Sequence, residues 1–345
     1  MHAIGPHSAQ RPSGGTAQIE RFTQAGDGDQ FAAAVLEGLS QRIKSLPSRF
    51  FYDAIGSELF EQITRLPEYY LTRTEAQILA SHASEMIDRL TGRGVLVEFG
   101  SGSSLKTELL LSKAPRGIAY VPVDVSTAAL ADAGRRLASR FPGLDVRPVL
   151  ADFSDPIALP SDLEGRPKVG FFPGSTIGNL QPGRAVDLLS LFLRGLSAGS
   201  RLIIGIDLKK DPRTLVRAYN DAAGVTAAFN LNILARVNRE LGAAIDLDTF
   251  QHEAIYNPRE GRIEMHLVSR VSQDVPILGR RFHFRTGESI HTENSYKYSI
   301  AQFHDVARAS GWIPSKVWTD PELQFSVHEL VAVDGVPSAQ GFEWS

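Results

Sequence analysis

The sequence predicts an α/β fold built on a doubly wound parallel sheet, with an α+β segment inserted into it. Between about residues 95 and 208, short β-rich runs alternate with helical patterns, which is typical of βαβ units. After Asp207 the alternation stops, and residues 210 to about 298 contain a helical stretch over 214–241. The strand-like runs EAIYNP (253–258), RIEMHLVSRV (262–271) and RRFHFRTGE (280–288) follow it. Near residue 299 the alternation resumes. We therefore expect one sheet core that closes after the insertion.

Each core element has its own signal. The predicted strands are short β-rich runs, namely VLVEF (95–99), IAYVPVD (118–124), VRPVLAD (146–152), VGFFPG (169–174) and RLIIGIDL (201–208). A helix over 126–141 begins at the capping residue Ser126, and another over 182–196 has Pro182 near its start and Gly199 beyond its end. After the insertion come a helix over 299–311 and strands at 316–320 and 325–333, and upstream residues 29–90 are predicted to be helical.

Composition excludes several classes of function. The chain has 345 residues, of which 43% are hydrophobic and 22% charged, and its net charge of -3 gives no polyanion-binding signature. It contains no cysteine, which excludes disulfides, thiolate zinc sites and a thiol nucleophile. Its apolar runs, such as RLIIGI at 201–206, are far shorter than the roughly 20 residues that span a bilayer. We expect a cytoplasmic protein without nucleic-acid or membrane partners.

The first core strand ends in a turn that contains Gly100 and Gly102 and leads into a helix. Such a turn places backbone N–H groups at the carboxyl edge of the sheet, where doubly wound folds bind ligands. A dinucleotide site would continue with a glycine at position 105, but the residue there is Leu105. The stretch Glu98-x-Gly100-x-Gly102 instead resembles the first motif of Rossmann-like class I S-adenosylmethionine-dependent methyltransferases. In that reading Lys106 pairs with the methionine carboxylate of the cofactor.

Acidic residues follow the next two strands. Asp124 ends the second strand, where an acid can accept both ribose hydroxyls, and Asp152-Phe153 ends the third, where a carboxylate and a ring can bind adenine. Each feature alone has a simpler explanation, because glycine turns are common connections and aspartates often cap helices. Three such features on successive strands favour the cofactor.

Longer segments carry a more specific resemblance. FYDAIGSELFEQITRLPEYYLTRTEAQIL, FFPGSTIGNL, LVRAYNDAAGVTAAFNLNIL, RIEMHL and IHTENSYKYS together resemble the histidine-specific methyltransferase family, the L-histidine Nα-trimethyltransferases of ergothioneine biosynthesis. The resemblance extends from about residue 30 to residue 330. It implies Nα-trimethylation of histidine to hercynine, with S-adenosylmethionine as the methyl donor.

The resemblance also implies residue roles. The implied cofactor-binding residues are Gly100, Gly102, Lys106, Asp124, Asp152 and Phe153. For the substrate, Asn179 and Tyr219 would hold the carboxylate, and Tyr69, Glu293 and Ser295 would hold the imidazole, with Met265 as a pocket wall. Tyr52 and the Gly174 carbonyl would lie near the amine. Tyr52, which would orient the amine directly or through water, and Asn179 are the residues that we assign to catalysis.

The implied chemistry fits these residue types. One imidazole nitrogen can donate to the Glu293 carboxylate while the other accepts from the Ser295 hydroxyl, and a leucine or phenylalanine side chain would leave both groups unpaired. The methyl transfer is an in-line attack by the neutral α-amine, which needs alignment in a dry site and no nucleophilic side chain. A metal is not expected, because the histidines lack metal-ligand spacing and are interpreted as structural or exposed: His252, His266, His283, His291 and His304.

Several alternatives stay open from the sequence. The nearest is the same chemistry on another amino acid, such as tryptophan or a histidine derivative. Methylation of a peptide or nucleic acid is a second and a non-enzymatic cofactor-binding module a third, and a dehydrogenase would need the missing glycine. The favoured organisation is a monomer with a disordered tail (1–25), a substrate-binding lobe (25–73 and 210–298) and a methyltransferase core (74–209 and 299–345).

Overall fold

The computed structural model describes residues 20–21, 27–102 and 105–333. The helices are α1 (Asp27–Ser40), α2 (Ala54–Ile63), α3 (Tyr70–Met86), α4 (Leu105–Leu111), α5 (Thr127–Arg140), α6 (Pro182–Leu196), α7 (Pro212–Tyr219), α8 (Val225–Leu241) and α9 (Ile300–Ala309). The strands are β1 (Glu20–Arg21), β2 (Lys44–Ser45), β3 (Val95–Phe99), β4 (Ala119–Asp124), β5 (Asp145–Val146), β6 (Val149–Leu150), β7 (Lys168–Phe172), β8 (Arg201–Asp207), β9 (Phe250–Asn257), β10 (Arg262–Ser269), β11 (Gln273–Ile277), β12 (Arg280–Phe284), β13 (Ser289–Tyr296), β14 (Trp312–Thr319) and β15 (Phe325–Ala332).

The larger sheet confirms the predicted doubly wound core. Its strand order is β1-β6-β4-β3-β7-β8-β15-β14, with β5 pairing beside β4. The pairs from β1 to β8 are parallel, whereas β15 runs antiparallel to both β8 and β14. The chain order reverses between β3 and β7, which opens a crevice at the carboxyl ends of these strands.

The core elements form where their side chains can be buried. Strands β3 and β7 are buried along their whole lengths, as expected for apolar strands covered on both faces. Helix α6 buries residues at helical spacing, namely Ala185, Leu188, Leu189, Phe192 and Leu196. Helix α5 begins where the Ser126 hydroxyl accepts a hydrogen bond from the Ala129 amide at 3.2 Å. These packed elements hold the strand ends in fixed positions.

A second sheet, of order β2-β13-β10-β9, comes mainly from the inserted segment. Strands β10 and β13 are antiparallel, and their register shifts between Met265 and His266. Met265 pairs with Glu293 and His266 pairs with His291, so Thr292 is the additional residue of a β-bulge. Separately, β11 and β12 form a two-stranded hairpin.

The structure corrects the sequence reading in three places. The helical stretch predicted over 214–241 is two helices, because Asp221 accepts hydrogen bonds from the Val225 and Thr226 amides and starts α8. The third predicted strand is reduced to β5 and β6. Strands β2, β11 and β13 were not predicted, and β2 lies within the segment 29–90 that was predicted to be helical. The predicted tail lies outside the described residues, except that Glu20–Arg21 pair in parallel with Val149–Leu150.

The proposed division into lobes stays a prediction. The segment boundary at residues 73 and 74 falls inside α3, so a single helix belongs to both predicted units. None of the helices in the described part of the chain combines the length and apolarity needed to cross a membrane.

Candidate active site

A cleft of about 2230 Å³ lies along the carboxyl ends of β3, β4 and β7 and extends to β13. The structure brings all the residues assigned from the sequence to its walls. They are Tyr52, Tyr69, Gly100, Gly102, Lys106, Asp124, Asp152, Phe153, Gly174, Asn179, Tyr219, Met265, Glu293 and Ser295. The two predicted halves of the site therefore face one continuous space.

The glycine turn after β3 is held by the acid at the end of β4. Gly100 and Gly102 adopt left-handed backbone conformations, with φ of 69° and 45°. The Asp124 carboxylate accepts hydrogen bonds from the Gly102 amide at 2.8 Å and the Ser126 amide at 2.9 Å. Burial raises the pKa of Asp124, although these amides act in the opposite direction. Each of its oxygens retains a lone pair that can accept a ligand hydroxyl.

The end of the third predicted strand forms the next part of this wall. One Asp152 oxygen accepts hydrogen bonds from the Ser154 amide at 2.9 Å and the Ser154 hydroxyl at 2.6 Å. The Phe153 ring lies so close to Gly100 that a Cβ there would be 3.1 Å from the ring. Glycine at position 100 thus allows the turn and the aromatic ring to share one edge.

A buried acid that the sequence did not reveal organises the centre of the cleft. Glu75 on α3 is fully buried and pairs with Lys106, with 2.5 Å between Oε2 and Nζ. Both of its carboxylate oxygens also accept from the Gly174 amide, at 3.0 and 2.9 Å. Gly205 in β8 leaves room for it, because a Cβ there would stand 2.1 Å from Glu75 Oε1. The structure therefore gives Lys106 a carboxylate partner within the protein, in addition to the methionine carboxylate expected from the sequence.

Aromatic side chains line the substrate end. The Tyr69 ring meets the Tyr219 ring edge-on at 6.1 Å, and the Tyr52 ring meets the Phe229 ring at 5.8 Å. Tyr69 and Tyr219 are buried, whereas Tyr52 is 42% exposed. Enclosure by the walls, with the negative charge of Glu293 as a further cause, raises the pKa of Tyr52. The Tyr52 phenol stays neutral at physiological pH and can donate or accept a hydrogen bond.

Glu293 stands in β13 opposite Met265 in β10. Burial raises the pKa of Glu293 to about 7, and the positive charge of Lys297 opposes this rise only in part. Met265 is 1% exposed and supplies an apolar wall beside the acid. A half-buried carboxylate of this kind is a strong acceptor for a ligand N–H group once it is ionised.

The Tyr219 and Ser295 hydroxyls are within hydrogen-bond distance of each other, although the sequence assigned Tyr219 to the substrate carboxylate and Ser295 to the imidazole. Their hydroxyl oxygens are 2.7 Å apart, and the buried Lys297 ammonium donates to both, at 3.0 and 2.8 Å. Lys297 also pairs with Asp207 at the end of β8, at 2.7 Å. Burial favours neutral Asp207, but Lys297 and Lys210 outweigh it and lower the pKa of this acid. The pair is therefore charged inside the protein.

Asn179 ends a 3-10 helix over Thr176–Asn179 that Ser175 introduces. Ser175 adopts a left-handed conformation with φ of 56°, and its hydroxyl accepts from the Asp207 amide at 2.9 Å. Asp207 thus contacts both Ser175, which precedes the 3-10 helix of Asn179, and Lys297, which donates a hydrogen bond to Tyr219. The signal that could have found Asp207 is its position, since it is a third acid at the end of a core strand.

One histidine group differs from the sequence reading. Glu264, His266 and His291 bring ligand atoms within 4.8 Å of one another, although no sequence spacing indicates it. The Glu264 carboxylate is paired with Arg262 at 2.7 Å and with His266 at 3.1 Å. Because the Arg262 guanidinium already balances this carboxylate, the group resembles a hydrogen-bonded cluster more than a cation site.

The cofactor end has the chemistry that S-adenosylmethionine requires. Acceptors for hydroxyl and amino groups follow two successive strands, and Leu105 stands where a dinucleotide site would have its third glycine. Together with the strand order in which an antiparallel β15 is inserted beside β8, this site defines a class I S-adenosylmethionine-dependent methyltransferase.

Comparison with known proteins gives the family. Residues 31–332 match the family of histidine-specific, S-adenosylmethionine-dependent methyltransferases. The histidine N-alpha-methyltransferase of Mycolicibacterium smegmatis is 45% identical over 298 residues, which cover 85% of this chain and 92% of that protein. The chain therefore belongs to this family, as the sequence segments indicated.

More distant relatives have other names. Ergothioneine biosynthesis protein 1 of Neurospora crassa is 29% identical over 80% of this chain and 32% of its own length. A 4-dimethylallyltryptophan N-methyltransferase of Aspergillus fumigatus is 28% identical over 89% of this chain and 95% of its own length.

Proposed function

We propose that this protein transfers three methyl groups in succession from S-adenosylmethionine to the α-amine of L-histidine. The product is Nα,Nα,Nα-trimethylhistidine, or hercynine, which is the first intermediate of ergothioneine biosynthesis. The observation that carries the proposal is that a hydrogen-bond acceptor, Glu293, and a hydroxyl group, Ser295, line the same cleft as the Gly100 turn. The names of the bacterial histidine N-alpha-methyltransferase and the fungal ergothioneine protein support it.

In the proposed complex the imidazole lies between these two groups. Ionised Glu293 accepts one ring N–H, and the Ser295 hydroxyl donates to the other ring nitrogen. Asn179 and Tyr219 hold the carboxylate, Tyr69 and Met265 enclose the ring, and the amine points toward the cofactor. An indole offers a single nitrogen, so a tryptophan substrate would leave one of the two polar groups unpaired, at about 1–3 kcal/mol.

S-adenosylmethionine supplies a methyl group bound to a positively charged sulfur. The residues of this chain align the amine with that methyl and exclude water, which suffices for an in-line displacement. Tyr52 and the Gly174 carbonyl are proposed to orient the amine, directly or through water. Because neither is a charged group, both tolerate an amine that gains bulk and finally loses its last hydrogen.

The test is a substrate screen by mass spectrometry. The purified protein is incubated with S-adenosylmethionine and each of the twenty amino acids, together with a histidine-containing peptide. Gains of one, two and three methyl groups on histidine alone support the proposal, and Glu293→Ala should abolish or redirect them. Transfer to another amino acid or to the peptide would reject the imidazole assignment while leaving the methyltransferase class intact.

The proposal includes a monomeric, cytoplasmic enzyme that needs no metal. Sedimentation at enzyme concentrations used for assay tests the monomer, and full activity after prolonged dialysis against a chelator tests independence from metal. The second test also bears on the group of Glu264, His266 and His291, whose ligand atoms lie within 4.8 Å of one another.

A further inference from the structure

Lys297 is a buried lysine whose ammonium group contacts two residues at the substrate end of the cleft, Tyr219 and Ser295, and the buried acid Asp207. It follows β13 and has 0% exposure. Its ammonium nitrogen lies 2.7 Å from an Asp207 oxygen, 3.0 Å from the Tyr219 hydroxyl and 2.8 Å from the Ser295 hydroxyl. An ammonium group has three donors and no acceptor. These three oxygens therefore accept hydrogen bonds from all three of its N–H groups.

This arrangement determines how the two hydroxyls can be used. The hydroxyl oxygens of Tyr219 and Ser295 each accept one hydrogen bond from Lys297, and they lie 2.7 Å from each other. Of the two hydroxyl protons, one lies between the oxygens and the other is available to the cleft. When a ligand with two acceptor atoms enters, the hydroxyls can turn away from each other, and both then donate to it.

We propose that Lys297 is a positioning residue that makes Tyr219 and Ser295 hydrogen-bond donors toward the substrate. This inference rests on the proposed function, in which Tyr219 meets the substrate carboxylate and Ser295 a ring nitrogen. Serine and tyrosine hydroxyls otherwise donate or accept equally well. With Lys297 in place, the Ser295 position selects an unprotonated nitrogen, and Glu293 selects the N–H on the opposite side of the ring. The site thereby favours one tautomer of neutral imidazole.

Burial disfavours the charged form of Lys297, but the Asp207 carboxylate outweighs it, raises the pKa of this lysine and keeps it protonated. Asp207 also accepts hydrogen bonds from the Tyr70 hydroxyl, at 2.7 and 2.9 Å, and from Lys210 at 2.5 Å. Lys210 thus shares the carboxylate partner of Lys297. Within the described residues its hydrogen bonds go to Asp207, Tyr70 and the Leu208 carbonyl rather than to the hydroxyl pair. Lys210 is therefore a matched control for the loss of one cation beside Asp207.

The experiment compares Lys297→Met with Lys210→Met by calorimetry. Histidine binding is measured with S-adenosylhomocysteine present, and binding of S-adenosylhomocysteine is measured separately. We expect Lys297→Met to weaken histidine binding by about ten- to a hundredfold, the effect of losing charge-assisted hydrogen bonds. Lys210→Met should weaken it by less than about threefold, because Lys210 contacts neither hydroxyl and Lys297 still balances the charge of Asp207. Binding of S-adenosylhomocysteine should change little in either variant.

A double-mutant cycle separates positioning from a general structural effect. If Lys297 acts through Ser295, the loss caused by Lys297→Met should shrink in a Ser295→Ala background. If Lys297→Met does not fold, the neutral pair Asp207→Asn/Lys297→Met is compared with Asp207→Asn/Lys210→Met in the same assays. Equal histidine affinities in the two matched variants, or additive effects in the cycle, would overturn the inference.

The assay also distinguishes failure of the proposed function from failure of the proposed role of Lys297. If the wild-type protein binds no histidine and methylates none, the proposed function fails and the inference fails with it. If the wild type methylates histidine but the two lysine variants behave alike, the inference alone fails. A selective loss in Lys297→Met, with cofactor binding retained, supports both.

Discussion

Replacing Glu293 with glutamine should change the pH dependence of catalysis in a defined way. Burial raises the pKa of Glu293 to about 7, so the carboxylate is about nine-tenths ionised at pH 8 and about one-tenth ionised at pH 6. Only the ionised form accepts the ring N–H as a charge-assisted bond. The kcat/KM of the wild type should therefore include a limb that rises through pH 7, and Glu293→Gln should lack it.

The magnitude follows from the hydrogen bond and the ionised fraction. Losing a charge-assisted bond costs about 1.5–3 kcal/mol, so Glu293→Gln should lower kcat/KM at pH 8 by about ten- to a hundredfold. At pH 6 the ratio of wild type to variant should be about tenfold smaller, because most wild-type molecules are protonated there. Titration of the substrate cancels in this ratio. Measurement of kcat/KM for histidine from pH 5.5 to 9 provides the test, and a ratio that stays constant would show that Glu293 is not the titrating group.

The same shift predicts an effect on stability of the free protein. The folded state binds the Glu293 proton more tightly than the unfolded state, whose acid titrates at the ordinary value of 4.5. Folding stability is thus lost as pH rises from about 4.5 to 7, and the penalty is complete above pH 7. Glu293→Gln should be more stable than the wild type at pH 8 by about 1–3 kcal/mol, after allowance for exposure to the cleft. Urea unfolding at pH 5 and pH 8 measures the difference, which should be small at pH 5.

Three further substitutions test the cofactor end. Gly100→Ala should lower the free energy of unfolding by about 1–2 kcal/mol, because of its φ of 69° and the ring beside it, whereas Gly183→Ala, where a Cβ meets nothing within 4 Å, should not; equal effects in urea unfolding would contradict this. Glu75→Ala should lower the free energy of unfolding in urea by about 3–5 kcal/mol, because it leaves Lys106 without its buried partner. Glu75→Gln should lower it clearly less, since an amide oxygen can still accept a hydrogen bond from the Gly174 amide; equal losses would contradict this. Asp124→Asn should weaken S-adenosylhomocysteine binding by about ten- to a hundredfold in calorimetry while leaving unfolding cooperative; unchanged binding would remove Asp124 from the cofactor site.

The core of the fold was predictable because its signals are local. Strand β3 is apolar except for Glu98, and α6 has a proline at its start and apolar residues at helical spacing. Helices α7 and α8 were merged because the separating signal is Asp221, a side chain whose capping role depends on the backbone around it. Strand β13, SIHTENSY, has no apolar alternation, and its pairing with β10 and β2 holds it in place instead.

The residues of the candidate site also fall into two groups, those that the sequence could locate and those that it could not. The glycine turn and the strand-end acids could be located from sequence position, and the structure brings them to one cleft. Glu75 and Lys297 could not, because a single charged residue in a helix or after a polar strand is usually exposed. Their burial becomes visible only when Lys106 and Asp207, which are 31 and 90 residues away in the chain, supply the compensating charges. Long-range charge pairing is the information that local patterns lack.

The bulge at Thr292 also affects which changes in chain length the protein can accommodate. Side chains along a strand alternate between its faces, so a one-residue slip in a regular strand would turn Glu293 and Ser295 away from the cleft together. The bulge separates the half of β13 that pairs with β2 from the half that carries Glu293. The buried Thr292 hydroxyl lies 2.7 Å from the Asn230 amide oxygen and 3.0 Å from the Met265 carbonyl oxygen, so the bulge is fixed in its place. We therefore expect deletion of Thr292 to abolish histidine binding in calorimetry, because the strand would lose the extra residue that sets the orientation of Glu293 and Ser295.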